Sequence, residues 1–333
     1  MKSYFILLCF VLNTASALQA QESKKVLTAT NFENIEYPFA VKYIHLNIQG
    51  EPLQMAYMDV MPDKPNGKVI VLLHGKNFCS AYWRQTSTDL TAKGFRVIMP
   101  DQIGFGKSSK PDNIQYTFQQ LAQNTKAILD SLGVKKIYLL GHSMGGMLAT
   151  RFTLMYPATV EKLILEDPIG LEDWKIKVPW QSVDDWYQRE LKQDYASLKK
   201  YQQNEYYHGE WKPEYDEWLD MQAGLLNNID YPRIAWNSAL IYDMIFTQPV
   251  CYEFQQIETP TLLIIGQKDR TAIGKDKVSK EVQATMGNYP VLGKETAKKF
   301  LKGTLVEISG AGHLPHIETY PEFIAPLLKF LSK

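Results

Sequence analysis

The stretch Leu139-Leu140-Gly141-His142-Ser143-Met144-Gly145-Gly146-Met147 constrains this chain more than any other part of it. An apolar, β-forming run at 136–140 leads into it and a helical stretch at 145–156 leads out, so Ser143 stands at the bend. So tight a strand-to-helix turn strains the serine backbone, and side chains two residues to either side would strike the neighbouring strand and helix. Glycine at 141 and 145 meets that demand. The product is a single hydroxyl held at the end of a buried strand, as nucleophilic catalysis requires.

The rest of the chain supplies the sheet that such a bend needs. Short apolar runs bounded by turn residues, at 68–73, 95–99, 136–140, 162–165, 261–265 and 304–308, suit strands buried on both faces of a parallel sheet. Two earlier runs, 41–48 and 53–60, are separated by Gln49-Gly50-Glu51-Pro52 and read as an opening hairpin. Helical spacing is clearest over 118–132, where Leu121, Thr125, Ile128 and Leu132 share one face before Gly133 stops the helix. Strand and helix alternate, so the spacing predicts an α/β fold with a doubly wound, mostly parallel sheet and ligands beyond the carboxyl ends of its strands.

One segment breaks the alternation. Between 168 and 250 there is no strand-like run, but there are amphipathic helical stretches and six of the seven tryptophans: Trp174, Trp180, Trp186, Trp211, Trp218 and Trp236. The sequence therefore predicts a helical cap at 168–250 inserted into a core formed by 21–167 and 251–333. Most of these aromatics should form the cap's own core, with some roofing a pocket over the strand ends. A chain of 333 residues accommodates one domain decorated in this way.

Charge and leader narrow the partners. Lys plus Arg equals Asp plus Glu at 36 each, with no long basic run, which excludes a nucleic-acid binder reliant on displacing counterions. Residues 1–20 open with Lys2, continue through an apolar run at 5–12 and end in small residues at Ala15-Ser16-Ala17 and Leu18-Gln19-Ala20. This pattern predicts a cleaved signal peptide and export to the periplasm or beyond. The run is shorter than the roughly 20 residues a membrane span needs, and no span is expected in the mature chain. Cys9 lies inside the run, which disfavours a lipoprotein. Cys79 and Cys251 remain, and two buried free thiols are favoured over one bridge. Neither has a second Cys or a His at ligand spacing, so no metal site is expected.

A serine hydroxyl needs a base to take its proton and a carboxylate to orient that base. In a sheet of this kind the chain order is serine, acid, histidine. Asp269 follows the run Leu262-Leu263-Ile264-Ile265-Gly266, and His313 follows Ile308-Ser309-Gly310-Ala311-Gly312. Asp167 is the rival acid, disfavoured because Pro168 and the insertion lead the chain away. His316 is a rival base near a helix start, and His142 points away from the elbow. Oxyanion donors are expected from the backbone N–H of Met144 and of Lys76, in the loop Leu73-His74-Gly75-Lys76, with the Lys76 side chain solvated. The Lys-rich segment 271–303 reads as surface decoration.

In order along the chain, His74-Gly75, Asp101-Gln102-Ile103-Gly104-Phe105-Gly106-Lys107-Ser108, Gly141 to Gly146, Asp269 and Gly312-His313 resemble the α/β-hydrolase-fold superfamily of esterases, lipases and peptidases. The resemblance runs from about residue 41 to the C-terminus, with 168–250 matching only as a cap by position. It implies a Ser143-His313-Asp269 triad, an acyl-enzyme, a small-molecule substrate, water as acceptor and no cofactor. Relatives that open epoxides or remove halides carry aspartate at the elbow, so Ser143 argues against those reactions. Proline iminopeptidases usually carry tryptophan after the nucleophile, where this chain has Met144.

Hydrolysis of a small carboxylic ester, lactone or thioester is the leading expectation. The alternatives are a carbon–carbon bond hydrolase, an inactive ligand-binding relative, and a proline-iminopeptidase-like aminopeptidase. The last needs a cap acid, for which Glu172, Asp173, Asp184, Asp185 and Glu205 are available. The sequence carries no signal for oligomeric state.

Overall fold

Apolar residues at nearly every position of the central strands leave both faces of a sheet to be covered, and helices cover them. The computed structural model describes residues 26–333, and the leader at 1–20 lies outside the described residues. Strands β1 (Val41–Ile48) and β2 (Glu51–Val60) form the antiparallel hairpin, in register from Val41 opposite Met58 to Ile48 opposite Glu51. Strands β3 (Val69–Leu73), β4 (Arg96–Pro100), β5 (Ile137–His142), β6 (Val160–Glu166), β7 (Thr261–Gly266) and β8 (Gly303–Ile308) follow in chain order. They lie in the order β1-β2-β4-β3-β5-β6-β7-β8, antiparallel through the hairpin and its junction with β4 and parallel elsewhere.

Because β3 to β8 run the same way, all their carboxyl ends open on one edge. The chain winds outward from β3 to β4 and then returns to start the other half at β5, so the crevice between β3 and β5 is the topological switch point. Alternate residues of β3 enter two separate apolar clusters, Val71 and Leu73 in one and Ile70 and Leu72 in the other, one on each face. Cys251 lies in the first and Cys79 in the second, and both are free buried thiols.

Helices α1 (Arg84–Ala92), α2 (Phe118–Ser131) and α3 (Met144–Met155) connect the first half. Thr117 caps α2 by accepting the Gln120 N–H at 3.0 Å, and Leu121, Thr125 and Ile128 are buried along its inner face. Between β6 and β7, residues 168–250 hold helices and turns and no strand. Here α4 (Val183–Glu190) and α5 (Tyr195–Tyr201) each start with a reciprocal capping box, Ser182 with Asp185 and Asp194 with Ser197. Next come α6 (Asp216–Ala223) and α7 (Tyr231–Thr247), and Ile241, Met244, Ile245 and Phe246 of α7 pack into the same cluster as Leu73.

The tryptophans divide. Trp186 is buried and stacks on Tyr242, Trp174 and Trp218 join the two clusters that hold the strands, and Trp180 is 67% exposed.

Helix α8 (Lys280–Gln283) buries no residue, α9 (Tyr289–Lys299) packs on β7 and β8, and α10 (Pro315–Glu318) and α11 (Tyr320–Leu331) close the chain. The reading of 271–303 as decoration needs correction, because Tyr289 at the start of α9 is buried and donates to the Pro168 carbonyl at 3.3 Å. The aromatic ring that begins that helix was an outward signal of packing. Among the described residues no helix is long and apolar enough to cross a membrane.

Candidate active site

The bend after β5 has the strain its glycines imply. Ser143 has φ +56° and ψ −121°, a conformation that non-glycine residues seldom adopt. A Cβ at Gly141 would run into the Gly145 carbonyl, and one at Gly145 into the Leu73 carbonyl of β3, so neither position tolerates a side chain. The Ser143 N–H donates to the Glu166 carbonyl of β6 at 3.1 Å, which fixes the elbow to the neighbouring strand.

Two further loops converge on it. The loops after β7 and β8 are tied together by the Lys268 N–H donating to the Ala311 carbonyl at 2.9 Å. Asp269 and His313 are thereby presented side by side. His313 Nδ1 lies 2.7 Å from Asp269 Oδ2, and His313 Nε2 lies 2.9 Å from Ser143 Oγ. Asp269 Oδ1 accepts the Thr271 N–H at 2.7 Å, which aims the other oxygen at the ring. All three residues are buried, Ser143 being 6% exposed. The arrangement brings a hydroxyl, an imidazole and a carboxylate into one hydrogen-bonded line, the order needed for base-assisted nucleophilic attack.

The rival residues lie elsewhere. Asp167, at φ +34°, turns its carboxylate to the Gly266 N–H at 2.9 Å. Burial, then the nearby Asp269 and Glu166, hold its carboxyl far above the usual range, so it stays neutral beside Asp269. His316 Nδ1 is 2.8 Å from Glu166 Oε1, a separate buried pair behind Ser143. His142 reaches back from the elbow, with Nε2 2.7 Å from the His313 carbonyl and Nδ1 3.0 Å from the Tyr82 hydroxyl. Burial and the neighbouring histidines keep it neutral, and it props the loop that carries His313.

The loop after β3 faces the elbow. A Cβ on Gly75 would stand 3.1 Å from Ser143 Cβ, so the loop passes directly over the nucleophile. The Gly75 N–H donates to the Tyr82 hydroxyl at 2.9 Å, while no turn or cap hydrogen bond among the described residues uses the N–H of Lys76 or of Met144. The Lys76 side chain, expected in solvent, is half-buried under α7. Its ammonium donates to Ser238 Oγ at 2.8 Å and sits 3.5 Å over the Tyr242 ring. Burial pushes it down to about 8, since an ammonium removed from water loses hydration.

Asp101, from the 101–108 motif, has a scaffolding part. Its carboxylate accepts the Ser80 N–H, the Lys107 N–H and the Tyr37 hydroxyl, each at 2.7 Å, which anchors the loops on either side.

A family model described as alpha/beta hydrolase fold matches residues 68–320. The chain belongs to that family. This α/β hydrolase is 52% identical to a probable hydrolytic enzyme from Pseudomonas aeruginosa PAO1, whose crystal structure superposes with a TM-score of 0.91 over 92% of this chain and 99% of that one. It is 34% identical to a haloalkane dehalogenase of Mycolicibacterium paratuberculosis over 41% of this chain and 46% of the other. Identity is 36% to a 2-hydroxy-6-oxo-6-phenylhexa-2,4-dienoate hydrolase of Burkholderia cepacia, over 33% of this chain and 39% of that enzyme. The chain thus spans less than half the length of these two curated relatives.

Several residues of the hydrolase's site carry no signal in the sequence. Tyr206 comes down from the cap, stacks on the His313 ring at 5.0 Å, and gives its carbonyl to the His313 N–H at 2.8 Å. Its hydroxyl accepts from Asn77 at 2.7 Å, closing the space between the cap and the loop after β3. Glu318 accepts from the backbone on both sides of His313, and its place five residues later, on α10, was the one hint available. Glu190, not one of the five cap acids named above, lines the cavity beside Lys76. Four of those five are committed or turned away: Glu172 pairs with Lys177, Glu205 with Lys275, and Asp173 and Asp185 cap helices, while Asp184 is exposed. Among the described residues no group of three His, Cys, Asp or Glu side chains is arranged to hold a metal ion.

Proposed function

We propose that this α/β hydrolase is a serine hydrolase that cleaves a small carboxylic ester through an acyl-enzyme. The observation that carries the reading is the continuous line from Asp269 through His313 to Ser143, at 2.7 and 2.9 Å. Ser143 Oγ attacks the carbonyl carbon while His313 Nε2 takes the hydroxyl proton. Asp269 holds the ring and stabilises the imidazolium that forms. The tetrahedral oxyanion is held by the Met144 and Lys76 N–H groups, the former also at the positive end of α3. His313 then gives the proton to the leaving alkoxide, and the C–O bond breaks. Water, deprotonated by His313, hydrolyses the ester of Ser143 and restores the enzyme.

Ester cleavage is favoured over amide cleavage by the lining of the cavity. An aminopeptidase must hold an ammonium near Ser143, yet the cavity beside the loop that passes over Ser143 is lined by Lys76 and Lys110 against the single carboxylate of Glu190, although Ser143 itself is not part of its wall. Similarity to a haloalkane dehalogenase does not bring that reaction here, because the elbow residue is serine. The leader at 1–20 makes export part of the proposal, and N-terminal sequencing of secreted material tests it.

A panel of p-nitrophenyl esters, lactones, thioesters and aminoacyl anilides tests the chemistry. Ester turnover should exceed anilide turnover by several powers of ten. Anilide turnover equal to or above that of the esters would reject the reading.

A further inference from the structure

Beneath α6 and α7, next to the loop after β3, lies a cavity of about 100 Å³. Its walls are mostly apolar, with Phe78, Phe105, Trp218 and Ile241 among them, yet two lysines, Lys76 and Lys110, also line it. The two are differently placed. Lys110 gives its ammonium to the Gly106 and Ser108 carbonyls at 2.6 and 3.3 Å and so braces the loop after β4. Lys76 has one neutral acceptor, Ser238 Oγ, and the face of Tyr242. Among the described residues it forms no ion pair: Glu190 stands beyond ion-pair distance, and Arg189 adds a like charge nearby. A lysine in an apolar wall without a counter-charge is a costly arrangement unless an anion completes it.

Position makes the lysine more telling. Gly75, one residue earlier, lies against Ser143, so the cavity that the Lys76 side chain lines opens one residue from the loop over the nucleophile, although Ser143 and His313 are not themselves part of its wall. We propose that Lys76 binds a carboxylate carried by the acyl part of the substrate, which makes the substrate class the monoesters of short dicarboxylic acids. This rests on the serine-hydrolase reading above. The four-carbon stem of an extended lysine separates its backbone N from Nζ by at most roughly 7 Å. That span matches a carbonyl and a carboxylate joined by about three or four methylenes. Apolar walls suit the methylenes and the ammonium suits the far end.

The test compares mono-p-nitrophenyl glutarate and adipate with neutral p-nitrophenyl pentanoate and hexanoate, using the wild type and Lys76→Met. The wild type should favour the anionic esters by about tenfold or more in kcat/KM, and Lys76→Met should erase that preference mainly through KM. Reading a ratio cancels any change in steps common to both esters. A wild-type preference for the neutral esters, or a ratio unaltered by Lys76→Met, overturns the inference and leaves ester hydrolysis standing.

Absence of turnover on every ester would instead reject the serine-hydrolase reading. Calorimetric binding of glutarate to the wild-type protein still decides the inference in that case. Binding at least tenfold tighter than that of glutaramide supports it, and equal or absent binding overturns it. Using the wild type for that measurement also covers a Lys76→Met variant that fails to fold.

Discussion

Glu318 holds the backbone on both sides of His313: its Oε1 accepts the Gly312 N–H at 3.0 Å and the Leu314 N–H at 2.9 Å. The imidazole is therefore positioned by a carboxylate that never touches it. A Glu318→Gln variant keeps the shape but turns an NH₂ group toward one of those donors. It should lower kcat about tenfold with little change in KM, because loosened geometry weakens transition-state assistance more than substrate binding. Unaltered kcat would show that the loop holds His313 without it.

The same carboxylate gives a pH signature. Burial raises Glu318 to about 7, against the lowering effect of the Leu314 and Gly312 N–H groups. A folded value above the unfolded one means that the native state binds the extra proton. The contribution to stability is thus fully present below the ordinary carboxylate range and is lost as pH rises through about 7, on the order of 3 kcal/mol in total. Thermal melts from pH 4.5 to 8 should show Glu318→Gln gaining on the wild type as pH rises. Parallel curves would contradict this.

Asp167 and Asp269 flank the same region but should respond differently to loss of charge. Asp269→Asn disturbs the tautomer that His313 needs and should cost about 10³ to 10⁴ in kcat. Asp167 is already held neutral by burial and by Asp269, so Asp167→Asn is nearly isosteric with the resident form and should cost less than tenfold. The two kcat values, measured side by side on one ester, check the assignment.

Removing His316 should damage folding and spare chemistry. His316→Ala removes the ring that lies 2.8 Å from the buried Glu166 carboxyl and leaves only the backbone N–H at 316 on that oxygen, a loss worth roughly 1 to 3 kcal/mol. Denaturant midpoints should fall accordingly, while protein that remains folded should still react at Ser143.

Cys79 and Cys251 lie in clusters on opposite faces of the sheet, and burial pushes the Cys79 thiol up to about 12. Native protein should react slowly with Ellman's reagent and unfolded protein should release both thiols without reductant. A need for reductant would point to a bridge.

Much of this was legible in the sequence because the determinants are local. The central strands announce themselves as short apolar runs, since a strand buried on both faces has little room for polar residues, whereas β8, at the edge, has the same kind of run but is exposed along much of its length, and the β1–β2 hairpin is read from its turn. Gly141 and Gly145 are legible because a strand-to-helix bend at the centre of a sheet brings backbone, here the Gly145 and Leu73 carbonyls, to where their side chains would be. Asp269 and His313 are each readable as the polar residue following a buried strand, and a parallel sheet brings such residues to one edge. What could not be read depends on contacts across the insertion. The stacking of Tyr206 on His313, the burial of Lys76 under Ser238 and Tyr242, and the approach of Tyr289 all join residues far apart in the chain. No periodicity encodes where a cap of short helices will rest on a sheet.

The central claim is that Ser143 is a nucleophile activated by His313. Labelling with a fluorophosphonate, followed by peptide mass spectrometry, measures this directly. One adduct per chain, located on Ser143, absent from Ser143→Ala and greatly slowed in His313→Ala, is the predicted result. Equal labelling of the wild type and Ser143→Ala, or labelling at full rate in His313→Ala, would contradict it.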